Sequence, residues 1–342
     1  MGACNFKVEM YTIPLCEPLA PIKKPASTGR FDQAWSKFVG TDHGVAFADA
    51  RSAFLRLFAA LGLEKGQRAL VSSCCTSPVW DAILEAGLEP VIVEPDSRTL
   101  VLDATVMDAT VWAGIDVAVV THLYGRPVPL ETIVAGARKY GVPVIEDALH
   151  AQGAEYRGRK VGSLGDAGVF CFAPRRILGD EEGGAMVVTS RADLVDGLET
   201  DFQLSPEANG RLLAQLKRLP DALKQRERLV DAYREKLGAM EGLRMVLPER
   251  QGRHVYYRFV IRVSDPARVA AYLAQAGIET GRIYFRSLDT EEKVPVARAA
   301  AREILHLPMV PSQGEKTVDL VCEHLGKIVQ EVTANATMPY LP

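Results

Sequence analysis

No apolar run in this 342-residue chain approaches the ~20 residues that cross a bilayer. The N-terminus lacks the basic start, apolar stretch and small-residue cleavage site of a secretory signal. Met1-Gly2-Ala3-Cys4 opens like an N-acylation site, but Phe6 stands where that signal needs serine or threonine. Cysteine is sparse: Cys4, Cys16, Cys74, Cys75, Cys171 and Cys322. With no CxxC spacing and no histidines at finger-like intervals, they support neither a zinc site nor a disulfide framework. Reduced, buried thiols in a cytoplasmic protein are the expectation, with no metal. Neither sign of charge dominates: 40 Lys+Arg against 43 Asp+Glu give a net −3. Nucleic acid and membrane are therefore not expected partners. No GxGxxG follows a strand, which leaves a dinucleotide-binding reading unsupported.

What the chain does have is 48% hydrophobic residues in a regular alternation, enough for a large core and two domains. GVAFA (44–48), ALVSS (69–73), PVIVE (90–94), VAVVT (117–121), PVIED (143–147), GVFCF (168–172) and AMVVT (185–189) read as strands. Between them RSAFLRLFAALG, SPVWDAILEAG and PLETIVAGARKYG carry apolar residues at three- and four-residue intervals and each closes on glycine. Continuous apolar strands separated by helices predict an α/β fold with a mostly parallel seven-stranded sheet between helices. The expected division is an extended, proline-rich segment over 1–29, a large domain over 30–205 and a small C-terminal α/β domain over 206–342. The last begins with a charged helical stretch interrupted by Pro220, read as two helices or one kinked helix. HVYYRFVIRV (254–263) reads as a strand, followed by a helix closing on glycine and a final helix near 315–332.

Two segments together resemble a known family. VIEDALHAQGAEYRGRKVGSLGD (144–166) precedes FCFAPRRILGDEEGGAMVVT (170–189), and both resemble the core signature of the DegT/DnrJ/EryC1/StrS sugar aminotransferases. These are fold type I enzymes that use pyridoxal phosphate (PLP). LEPVIVEPDSRTLVLD (88–103), VVTHLYGRPVPLETI (119–133), QLKRLPDALKQRERLVDAYREKL (215–237), GIETGRIYF (277–285) and ILHLPMVP (304–311) extend the resemblance over nearly the whole chain. It implies the fold type I PLP-transferase architecture.

The resemblance also sets Arg176 where the family carries its Schiff-base lysine. A guanidinium stays protonated at physiological pH and cannot attack an aldehyde as a neutral amine. Asp147 matches the aspartate that pairs with the pyridinium nitrogen; its plain reading is a helix cap. His150 falls where the family has a glutamine near the ring oxygen, and otherwise reads as a structural hydrogen-bonding residue. Cys75-Thr76 replaces a pair whose aromatic stacks on the ring. Ala50-Arg51 replaces a Gly-Thr or Gly-Ser that binds phosphate at a helix N-terminus, and Cys171 replaces a phosphate-binding serine. Arg51 reads equally as a phosphate clamp or as a solvated helix residue. Arg175 and Arg176 pair locally with Asp180, Glu181 and Glu182 on one reading. On another, Arg176 pairs with Asp147, which burial would otherwise strand. Lys160 lies in a separate turn and is no substitute lysine; Tyr124 shapes a turn.

These positions predict a family member that is not a standard PLP transaminase. Covalent PLP is not expected. Non-covalent PLP or pyridoxamine phosphate (PMP), or no cofactor at all, stay open. Three functions follow: a PMP-dependent dehydratase-like enzyme on a nucleotide-linked keto sugar; a non-catalytic partner of a lysine-bearing paralogue; or an enzyme with a repurposed pocket for an anionic substrate such as a nucleotide-sugar. Ancestry implies amino- or deoxy-sugar, polysaccharide or secondary-metabolite biosynthesis, and a homodimer.

Overall fold

The computed structural model describes residues 13–19, 29–103, 105, 107, 109–246, 252–282 and 294–335. Readings that fall on residues 1–12 or 283–293, such as the Met1-Gly2 start and the end of GIETGRIYF, lie outside them.

The sheet-forming part of the chain opens with α1 (Phe31–Val39), β1 (His43–Phe47), α2 (Ala50–Ala60), β2 (Arg68–Ser72), α3 (Ser77–Glu85) and β3 (Glu89–Val93). It continues through α4 (Ala109–Trp112), β4 (Val117–Thr121), α5 (Leu130–Arg138), β5 (Val144–Asp147) and a small hairpin, β6 (Glu155–Tyr156) and β7 (Arg159–Lys160). β8 (Ala167–Cys171), β9 (Ala185–Thr189) and α6 (Ala192–Val195) complete it. The seven strands predicted from apolar runs form one sheet in the order β1-β9-β8-β5-β4-β2-β3. Strands β8, β5, β4, β2 and β3 are parallel, and β9 runs against both β8 and β1. β4, β8 and β9 are buried at every position, as expected of strands covered by helices on both faces. The glycines closing the three predicted helices, Gly62, Gly87 and Gly141, all have φ near +70°, the left-handed turn that stops a helix without a Cβ clash.

The C-terminal part of the chain begins with α7 (Pro206–Leu237), one continuous helix that carries Pro220 within it. Then come β10 (Leu243–Met245), β11 (Gly252–Arg253), β12 (Phe259–Val263), α8 (Pro266–Gln275), α9 (Pro295–Glu303), β13 (Ile304–Leu307) and α10 (Glu315–Asn335). β10, β12 and β13 form an antiparallel sheet, while β11 pairs back onto β6. The core of this C-terminal part gathers Leu229, Tyr233, Phe259, Ile261, Leu305, Val321 and Leu325. The segment Ile13–Leu19 bridges to Ile278 and Met309. Among the described residues no helix is long and apolar enough to cross a membrane.

One expectation fails. The strand read over 254–263 is shorter, only Phe259–Val263. Ahead of it the chain forms an irregular strap, with Tyr256 in the left-handed region at φ 48°. The buried guanidinium of Arg226 explains why: it donates to the carbonyls of Val255 (3.3 Å), Tyr256 (2.5 Å) and Tyr257 (3.2 Å). Those acceptors serve a side chain instead of a strand ladder.

The loop between β8 and β9 is pinned from below. Arg211 on α7 grips Asp180 with two bonds, Nε–Oδ2 at 2.6 Å and Nη2–Oδ1 at 2.8 Å, and reaches Glu182 at 3.2 Å. The Asp180 side chain is nearly buried, and Arg211 holds its carboxyl below the usual range. Arg211→Ala is expected to cost about 2 kcal/mol at neutral pH, because Asp180 loses its charge partner. A depressed carboxyl contributes stability above its unfolded pKa and loses it on acidification. The deficit should therefore shrink as pH falls through the acid range. Urea melts of both proteins at neutral and acid pH would measure this; a deficit that does not change with pH contradicts it.

Candidate active site

The C-terminal ends of parallel strands are where an open α/β sheet presents side chains to a ligand. β4 and β5 end in register, with Thr121 beside Asp147. Asp147 is fully buried. Its Oδ2 accepts hydroxyl protons from Thr76 at 2.8 Å and Thr121 at 2.9 Å, and its Oδ1 accepts the Leu149 amide at 3.2 Å. Burial pushes the carboxyl above its ordinary value, against the pull of these donors. Thr76 is the N-cap residue of α3, yet its hydroxyl caps no amide of that helix. A threonine cap contributes about 1 kcal/mol. Committing the hydroxyl to Asp147 gives that up, which marks the pair as more than helix termination.

Beneath this floor a second acid, Glu146, points to the other face of the sheet. It accepts the amides of Gly162 (2.8 Å), Leu164 (2.7 Å) and Gly165 (2.8 Å) and pairs with His122 Nε2 at 3.0 Å. His122 Nδ1 accepts the Val128 amide, so the ring proton sits on Nε2 and is donated to Glu146.

Above Asp147 the strap closes the cleft. The Tyr257 ring stacks on His150 with centroids 4.7 Å apart and planes 16° apart. The guanidinium of Arg258 lies 4.0 Å from the centroid of Tyr257, and that of Arg176 lies 5.0 Å from it. Tyr124 lies parallel to His150 at 6.3 Å and edge-on to His306 at 4.8 Å. His150 and His306 are buried, and burial first, then nearby positive charge, drives both well below the usual imidazole value. Both are neutral at physiological pH. Tyr124 (φ 57°) in this cleft, and Arg175 (φ 69°) and Tyr256 (φ 48°), the sequence neighbours of Arg176 and Tyr257, bear side chains in the left-handed region; Leu100 and Arg157 do so elsewhere. Such strain persists only where surroundings over-determine it, and it clusters at functional sites.

Arg176 and Asp147 do not form the ion pair that charge balance suggested. No guanidinium nitrogen of Arg176 approaches a carboxylate within 4.0 Å among the described residues; Asp147 is satisfied by two threonines and an amide instead. Asp147 acts on Arg176 only at longer range, with the Cys171 thiol closer by. Arg175 turns outward to Glu279 at 2.7 Å, and its local acidic neighbours Asp180 and Glu182 are taken by Arg211. Arg51 does not enter the cleft either. Its Nη1 bonds Glu85 at 2.7 Å, with both side chains about half exposed on the outside of α2 and α3, so the solvated-helix reading is the one this geometry follows. Lys160 bonds Glu155 on the β6–β7 hairpin, away from the cleft.

Several site residues escaped sequence reasoning. Tyr257 and Arg258 were hidden inside a presumed strand, and His306 inside LHLP. Thr121 had a usable signal, its position at the end of a parallel strand. Asp49 had another, an acid directly before a helix. Its carboxylate accepts the Ser52 amide at 2.9 Å in a reciprocal capping box at the start of α2.

PLP fits this cleft poorly. A phosphate at the N-terminus of α2 would meet the carboxylate of Asp49 already bonded there, and Arg51 faces away. Where the ring would stack, Thr76 offers a hydroxyl turned to Asp147, while His150, Tyr257 and Arg176 pack against one another.

The architecture is nonetheless that of PLP fold type I aminotransferases, an α/β sheet between helices with its site at the strand ends. TlmJ, an aminotransferase from Streptoalloteichus hindustanus, superposes with a TM-score of 0.83 over 94% of this chain and 99% of its own, at 22% identity. DesI, solved in the presence of its TDP-sugar product, gives 0.79 over 89% and 86%, at 27% identity. The model of the DegT/DnrJ/EryC1/StrS aminotransferase family matches residues 22–199 and 207–326, and the chain belongs to that family. A GDP-perosamine synthase from Caulobacter vibrioides is 29% identical over 342 residues, 89% of this chain and 91% of that protein. A UDP-N-acetyl-3-dehydro-alpha-D-glucosamine 3-aminotransferase from Acidithiobacillus ferrooxidans is 30% identical over 307 residues, 82% of each chain.

Proposed function

We propose that this chain is a remodelled DegT-family protein of amino- or deoxy-sugar metabolism that binds its ligand without forming a PLP imine. What carries the reading is Arg176, which the resemblance sets at the family's lysine position. An amine can lose its proton and attack a carbonyl; a guanidinium does neither at physiological pH. Three features support it: the Asp49 carboxylate at the start of α2, the outward turn of Arg51, and the threonines that bond Asp147. The substrate class follows from relatives named for GDP-, UDP- and TDP-linked sugars, and the setting is polysaccharide or secondary-metabolite biosynthesis. We place the protein in the cytoplasm, as a homodimer or beside a lysine-bearing paralogue.

What the cleft residues do is hold and orient. Asp147 offers a buried acceptor, two threonines fix its direction, and His150 presents a neutral ring stacked on Tyr257. Mixing the protein with PLP, then borohydride, tests the proposal. No visible Schiff-base band and no pyridoxyl mass on the chain are expected. A trapped pyridoxyl group would overturn the reading in favour of ordinary transamination. A non-covalent spectrum with PMP would transfer support to the dehydratase-like alternative.

A further inference from the structure

We propose that Arg176 anchors a binding site for a small oxyanion, a carboxylate or a phosphate, where β8 and the 254–258 strap meet above Asp147. The inference rests on the reading that this cleft is not a PLP imine site.

A buried guanidinium is costly unless its charge and its N–H groups find partners. Arg176 Nη1 is fully buried and has no hydrogen-bond partner among the described residues. No carboxylate lies within the 4.0 Å of an ion pair, as described above. The Cys171 thiol and the Tyr257 hydroxyl act on it ahead of Asp147, whose oxygens already accept three hydrogen bonds. The Arg176 guanidinium carbon lies over the Tyr257 ring, 5.0 Å from its centroid. A guanidinium stacked on a ring keeps its N–H edge in plane, free to meet an oxyanion. Arg258 adds a second positive charge on the same ring.

The inward pose of Arg176 is held by its neighbours in sequence. Arg175 sits at φ 69°, its side chain bonded to Glu279 and its carbonyl accepting the Cys16 thiol at 3.7 Å. Glu279 also takes the Leu15 amide at 2.8 Å, and the Leu19 amide bonds the Ile177 carbonyl at 2.9 Å. The N-terminal segment thus fastens both flanks of Arg176 and leaves its side chain directed into the cleft. A half-buried residue held by such over-determination, with one buried and unanswered donor, has the form of a receptor for an acceptor.

The test uses the full chain with inorganic phosphate and with succinate, at fixed ionic strength against chloride. Saturable binding of one of these, read by calorimetry and by a rise in melting temperature, is expected. Which of them binds distinguishes a phosphate from a carboxylate ligand. Arg176→Met should weaken it by about tenfold or more, since a hydrogen bond to a charged group is lost. The same variant should melt no lower than the parent without added oxyanion, because it removes a buried charge. Arg176→Gln repeats the affinity measurement in a second folded background. Absence of saturable binding beyond chloride would sink the inference, and so would undiminished binding in both variants. Either result leaves the borohydride experiment untouched, so the two readings fail separately.

Discussion

Glu146→Ala is expected to lower stability by about 3–5 kcal/mol, the range for removing one partner of a buried charged network. The carboxylate serves four donors at once: three amides of the turn before β8 and the Nε2–H of His122. Alanine returns none of those bonds and leaves each donor in a dry interior, where an unsatisfied group costs about 1–3 kcal/mol. His122 cannot relieve the loss by switching tautomer, because its Nδ1 already accepts the Val128 amide. For a chain of this length the loss corresponds to roughly 4–7 °C in melting temperature. Glu146→Gln should fall between, keeping one acceptor oxygen and placing an N–H against donors. Denaturant melts of the three proteins decide the matter. If alanine costs under about 1 kcal/mol, the turn over 162–165 finds other acceptors and the network is not the support described here.

Mild acid is expected to destabilise the protein steeply. His150, His254 and His306 are all buried and all held well below the usual imidazole value by burial. Their charged neighbours oppose protonation too: Arg176 and Arg258 face His150; Arg126, Arg234 and Arg226 face His254; Arg258 faces His306. Above pH ~6.5 the rings are neutral in both folded and unfolded chains, and nothing is gained or lost. Below it the unfolded chain takes up protons that the folded chain refuses, so stability falls with pH by about 1.4 kcal/mol per unit for each histidine. Together the three lose about 4 kcal/mol between pH 7.5 and 5.5. Asp147 works the other way: its raised carboxyl keeps a proton in the folded state that the unfolded chain releases, but it is one group against three. Melting curves between pH 7.5 and 5.5 should therefore drop by about 5 °C. A flat profile would mean that the cleft admits water and charge when the rings protonate. His306→Asn, with no titratable ring, should remove one of the three contributions to the slope.

The seven strands were legible because each is a short run of β-branched residues flanked by helical periodicity, a pattern the chain's own covalent order imposes. Asp147 was legible through the family resemblance of VIEDALHAQG, which sets it at the end of a strand. His150 was legible only as a position, since whether a histidine is charged depends on what surrounds it. The strap over 254–258 was not legible. Its alternation of large side chains imitates a strand, and only Arg226, arriving from a helix about 30 residues earlier, takes the carbonyls that a strand would have paired. Arg51 was undecidable in sequence because a helix start can present an arginine inward or outward, and Glu85, 34 residues away, draws it out.

Residue chemistry and periodicity alone determined an α/β sheet with an acid at the end of its fifth strand and a permanent cation, Arg176, in the loop after β8. Tertiary packing decided which neighbours those two charges meet. It gave Asp147 to Thr76 and Thr121, laid Arg176 over Tyr257, and placed Asp49 at the anion-binding end of α2. The physical reason is range: strand and helix signals act over a few residues, whereas the electrostatic state of a buried group is set by side chains brought together from distant parts of the chain.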